Sequence, residues 1–133
     1  MAGIADYLEN KLLDHVFGAT AYSAPATLYV ALSTTTPTDS GNVTEPSGGA
    51  YARVAVTNNT TNWPNASGGS KSNGTAVTFA QATALWGTVT HFVIYDAASS
   101  GNMIAFGALE TPRVPDFGDV CSFGVGTLVI TSD

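Results

Sequence analysis

Cysteine occurs once in this chain of 133 residues, at Cys121. A single thiol cannot close an intrachain disulfide, and it leaves no cysteine-based zinc site. Histidine occurs twice, as His15 and His91, without HxxxH spacing, so the other common zinc signature is missing too. Charge is scarce: only 11% of residues carry it, and the basic set is Lys11, Arg53, Lys71 and Arg113 against ten carboxylates, a formal net charge of -6. Nucleic-acid binding draws on lysines and arginines to displace phosphate counterions, so this composition speaks against it. The same sign speaks against an anionic membrane surface. No window approaches the roughly 18 consecutive apolar residues of a membrane-spanning helix. The first residues, MAGIADYLENKLLDH, carry acids early and no long apolar core, unlike a secretory signal.

Thr, Ser, Asn, Gly and Ala stand where charge is missing. A surface of short uncharged side chains is common where other protein subunits cover a large area. The length suits one domain over residues 1–133, able to bury about 65–70% of the surface its unfolded chain exposes, without disulfide or metal. Several Asn-x-Ser/Thr triplets, Asn73-Gly-Thr75 among them, read as chance products of an Asn/Thr-rich chain.

Periodicity divides the chain in two. Over residues 4–17, Ala5, Leu8, Leu12 and Val16 recur at helical spacing, with Ile4 and Leu13 widening the stripe. Gly18 stands where a left-handed cap would end the helix, Asp6 and Glu9 suit its positive end, and His15 suits its negative end. From residue 26 the period becomes two. Residues 26–34, 51–56, 75–80, 90–96, 102–109, 119–123 and 126–132 read as strands rich in Val, Thr, Tyr and Phe, with Gly, Pro, Asn or Asp between them. Short spacers after residue 86 predict consecutive hairpins. The expected architecture is mainly β: an antiparallel β-sandwich of about seven strands over 26–132, with one N-terminal amphipathic helix over 4–17. Polar stretches at 35–50 and 57–74 are long enough to serve as contact loops.

No motif carries chemistry. His91 sits in WGTVTHFVIYDA, which is apolar on both faces from 92 to 95 and predicts a central strand. Val89, Val93 and Tyr95 are expected on its face, and its imidazole is expected neutral, bonded to a carbonyl or hydroxyl. An active nucleophile needs a base and an oxyanion hole, and no GxSxG elbow is present. Asp96 reads as a turn former. Asp116 and Asp119 fall short of calcium-loop spacing. SGGSKSNGT lacks the GxxxxGK[ST] order of a phosphate loop. The expectation is therefore no catalytic residue, no cofactor and no metal site. Trp63, in TTNWPNA, either folds back on its own domain or anchors a partner; Leu8 and Leu12 either close the sandwich or dock on a neighbouring chain.

The ordered blocks ADYLENKLLDHVFG, PATLYVALSTTTPTDSG, EPSGGAYARVAVT, SGGSKSNGTAVTFAQATALWGTVTHFVIYDA and NMIAFGAL cover nearly the whole chain. They resemble a family of small virion structural proteins of tailed bacteriophages, commonly labelled tail-fibre-like. The resemblance implies a non-enzymatic protein, made in the host bacterial cytoplasm and carried on the particle surface. The absence of Gly-X-Y runs, heptads and solenoid repeats excludes a fibre shaft built by this chain alone. A capsid decoration or cement subunit, bound in many copies to the major capsid protein, is the leading expectation. A tail-fibre or tail-tip component that binds a carbohydrate receptor is the alternative. Partners would be the major capsid protein or tail proteins, with self-association into a homo-oligomer, and with Leu8, Leu12 and Trp63 as contacts.

Overall fold

The computed structural model describes residues 3–132. Its elements, in chain order, are β1 (Gly3–Ile4), α1 (Asp6–Val16), β2 (Thr27–Ser33), β3 (Val54–Thr57), β4 (Ser70–Ser72), β5 (Val77–Thr78), β6 (Val89–Tyr95), β7 (Met103–Arg113), β8 (Ser122–Phe123) and β9 (Val129–Thr131). The protein is mainly β with one helix. Five strands form an antiparallel sheet in the order β1-β7-β6-β2-β3, and two ladders, β4-β9 and β5-β8, stand apart from it.

Alternation along β2, β6 and β7 gives that sheet two apolar faces. Val30, Ile94 and Ala105 lie in one row across the three strands, and Ala31, Val93 and Phe106 lie in the next. The first row belongs to the main core, which continues through Trp63, Val77, Phe79, Trp86, Phe123 and Leu128. These residues come from the small ladders and the loops around them, so the second layer of the sandwich is mostly irregular chain. Aromatic rings tie it together: Tyr51 meets Trp86 edge-on at 5.3 Å between centroids, and Phe79 meets Phe123 at 6.1 Å. The second row forms a smaller cluster on the outer face, with Val43, Tyr95 and Met103 packed against it.

Two strands escape the sequence pattern, and others have different ends. Gly3–Ile4 pairs with Phe106 and Ala105 of β7, so the helix expected over 4–17 begins only at Asp6. Ala5, extended at ψ 161°, makes the turn, and its amide donates to Ile104 O. β4 lies within the predicted loop 57–74, where Ser70-Lys71-Ser72 shows no apolar alternation. β7 runs to Arg113 rather than 109, because a bulge opposite Thr90 admits Pro112, which has no amide to give a ladder. The same bulge corrects the expected face of Val89. It faces the main core with Phe92 and Ile94, while His91 shares the other face with Val93. The predicted succession of hairpins holds for β6-β7 but not beyond it: β8 returns to β5 and β9 to β4.

Two buried details fix this packing. Gly107 stands opposite Phe92, and a Cβ on it would lie 2.6 Å from the Phe92 ring. Asn73, 2% exposed, gives its amide to Thr75 O and Gly124 O and accepts from Leu128 N. Every polar atom of that side chain is thereby satisfied, which a buried amide requires.

Candidate functional site

His91 is 9% exposed, and its Nδ1 lies 2.8 Å from Thr90 Oγ1. Burial lowers its pKa, which favours the neutral ring. Its register partners are Ser33 and Ala108. Ser33 Oγ is itself committed: it donates to Thr35 O and accepts from the amides of Thr35 and Thr44. The histidine is thus bonded to a hydroxyl, one of the two kinds of partner expected for it on its strand. Cys121 is buried, and burial pushes its thiol pKa up, away from reactivity.

The loops proposed as contacts are well anchored. Glu45 accepts from Tyr51 Oη at 2.7 Å and from Arg53 Nε and Nη2 at 3.0 and 2.8 Å. Burial alone would raise the Glu45 pKa, but these hydrogen bonds hold it below the ordinary carboxylate value. Arg53 also donates to Ala97 O and Ser100 O and stacks 3.7 Å from the Tyr95 ring centroid. One guanidinium therefore joins the 45–53 segment to the β6-β7 turn. In that turn the Asp96 carboxylate accepts from the Asn102 amide and side chain. Asp119 caps its own turn through the Asp116 amide.

The three candidate contact residues have separate fates. Trp63 is 3% exposed and lies in the main core, so in the free chain it folds back on its own domain and offers no face to a partner. Its Nε1 is buried without a hydrogen-bond acceptor. Leu8 is half-buried against the core, and Leu12 is 41% exposed. Leu12 belongs to a larger feature that spacing alone did not mark: α1 has no buried residue, and Leu13, Val16 and Phe17 are 56%, 64% and 78% exposed. Only the first turns of α1 rest on the domain. The helix end is orderly nonetheless, with Phe17 N bonded to Leu13 O, Thr20 N to Asp14 O and Tyr22 N to His15 Nδ1. A second apolar group, Leu85, Val114, Phe117, Val120 and Val125, is also more than half exposed. α1 begins beside the first residues of β7 and Val114 follows its last, about 30 Å away at the rise of an extended strand.

One further grouping spans distant parts of the sequence. Asp6, Glu9 and Asp39 bring carboxylate oxygens within 4.8 Å of one another, because the Asp6 amide donates to Asp39 O. Residue spacing hid this meeting, since Asp39 lies 30 positions or more from Asp6 and Glu9.

Residues 3–131 match the model of a protein family described as podophage GP4 fiber I protein gp80. The chain belongs to that family. It is a phage structural protein of fibre type, and so a component of the virion. No curated protein sequence matches it. No helix among the described residues is long and apolar enough to cross a membrane.

Proposed function

We propose that this protein is a non-enzymatic fibre subunit of a podophage particle, displayed on its surface and held there by burying the exposed face of α1 against neighbouring subunits. The observation that carries this reading is the contrast at α1: four large apolar side chains on an ordered helix and its cap, and no residue of that helix buried. Contiguous apolar surface left in water on an otherwise well-packed domain marks an interaction site. The family's fibre description supports the placement. Repeated along a particle, even a modest interface gains avidity.

Neighbours include tail proteins and further copies of this chain. Two separate sets of exposed apolar residues, one on α1 and one around Val114 and Phe117, suit a head-to-tail contact between identical subunits. A second reading, decoration of the head through the major capsid protein, draws on the low charge and the Thr/Ser/Asn-rich surface. Quantifying this chain per purified particle separates the two. A few tens of copies, in step with the tail symmetry, fit the fibre reading; hundreds of copies overturn it in favour of the head.

A further inference from the structure

Asn73-Gly74 is the one Asn-Gly pair in the sequence. Such a pair is open to a reaction of its own backbone, in which the glycine nitrogen attacks the asparagine Cγ. A glycine, free of Cβ and conformationally permissive, lets that nitrogen approach. The pair stands between β4 and β5, and the fold demands both of its members. Asn73, 2% exposed, gives its NH₂ to Thr75 O at 2.8 Å and Gly124 O at 3.0 Å and accepts from Leu128 N at 3.0 Å. At Gly74 a Cβ would strike Thr61 O and lie 2.8 Å from the Pro64 ring. Packing therefore installs a reactive dipeptide at a buried corner.

The folded corner holds the reaction off. The peptide joining the two residues is pinned on both sides: Asn73 O accepts from Gly126 N at 2.9 Å, and Gly74 N donates to Asn62 O at 2.7 Å. Gly74 N cannot turn onto Cγ while it serves Asn62, and carbonyls hold the hydrogens of the group that would leave. Two of these clamps, Gly124 O and Leu128 N, lie 51 and 55 positions further along the chain. Protection is complete only once residues 124–128 have docked on this corner.

The product does not fit. Attack forms the Gly74 N–Cγ bond and expels the side-chain nitrogen as ammonia; water then opens the succinimide to aspartate or isoaspartate. Aspartate at this position sets an acceptor against Thr75 O and Gly124 O, and even when protonated it has one hydrogen for two carbonyls. A buried polar group left facing its own kind is strongly destabilising. Isoaspartate lengthens the main chain by one carbon, where Thr61 and Pro64 leave no room for a Cβ.

We propose that Asn73-Gly74 is a self-modification site gated by folding, which deamidates in chains that linger unfolded and bars them from the native structure. Chains that fold promptly keep Asn73 and remain competent to join the particle. This control acts on the subunit before assembly and does not depend on the exposed face of α1.

The test holds the full chain at pH 8 in two arms, native buffer and unfolding guanidinium chloride, and follows the tryptic peptide 72–113 by mass spectrometry. Fragmentation locates the one-dalton gain of deamidation. Conversion of Asn73 is expected at least tenfold faster in denaturant than in native buffer. After return to native buffer, the refolded fraction should carry intact Asn73 and the misfolded fraction the converted residue. Asn73→Asp should fail to fold or melt well below the parent, while Asn65→Asp, the same change at an exposed side chain, should melt with it. Equal conversion in the two arms would overturn the proposal. Converted chains that regain the parental midpoint, or an Asn73→Asp variant as stable as the parent, would overturn it as well.

Discussion

Strand β6 and helix α1 both carry apolar stripes, yet they use them in opposite ways. Five of the seven residues of β6 are buried, and its two faces belong to two different clusters of the same domain. In α1 no residue is buried, and Leu12, Leu13 and Val16 stand 41–64% exposed in its second half. Apolar content is thus a poor guide to what holds this fold together. The residues that stabilise the isolated chain and those that remain available to a partner are segregated by position, with the sheet consuming one set and the helix presenting the other. Proteins that act by assembly need such a division, because a surface left apolar in the monomer is stabilised only in the complex.

The comparison is broken most forcefully from the β6 side. Phe92→Ala should destabilise the fold by about 4 kcal/mol, the usual scale for deleting a fully buried phenyl ring. Chemical denaturation measures it, and a loss near zero would mean that β6 is not the centre of the core. Gly107→Ala tests the same contact from the opposite strand. The added Cβ collides with the Phe92 ring, and overpacking of this kind costs about 2 kcal/mol. The two substitutions share one contact, so their effects should not add in the double variant.

Acid provides a smaller and graded perturbation. His91 has its pKa lowered by burial, so the unfolded chain takes up a proton first as pH falls below the ordinary value of 6.5. Its stabilising contribution is therefore complete above that pH and declines below it, until the folded pKa is reached. Glu45, held below 4.5 by Arg53 and Tyr51, contributes stability that is complete above its unfolded value and is lost as pH falls through its folded one. Stability followed from pH 7 to pH 3 should fall in two successive limbs. His91→Gln should flatten the upper limb and Glu45→Gln the lower. An unchanged profile in either variant removes that group from the account.

Much of the fold was legible in the residues because the period changes once, from helical to alternating, and the change is marked by Gly18 and Pro25. Strands β2, β6 and β7 follow from short runs rich in apolar, β-branched and aromatic residues with turn formers between them. What the residues did not reveal depends on long-range pairing. Gly3–Ile4 is too short to alternate, Ser70–Ser72 has nothing apolar to alternate, and the bulge opposite Thr90 is set by the partner strand. Function follows the same rule. The burial of His91, which lowers its pKa, could be read from its apolar flanks. The burial of Trp63 could not, since a tryptophan in a polar loop is compatible with either fate until the tertiary structure places it. The burial of Asn73 was invisible for the same reason, since its bonds reach Gly124 and Leu128 with no local signature.

The smallest effect on stability carries the most weight. In the triple variant Leu13→Gln, Val16→Gln, Phe17→Ser, each substituted side chain is more than half exposed in the free chain, and Gln sustains a helix about as well as Leu. Surface changes of this kind usually shift stability by no more than about 0.5 kcal/mol each. The decisive measurement is the occupancy of this variant in purified phage particles, taken together with its thermal midpoint as an isolated protein. The account predicts a midpoint within a few degrees of the parent and an occupancy reduced at least tenfold. Normal occupancy would contradict it by showing that the face of α1 is not the surface that holds this subunit on the particle.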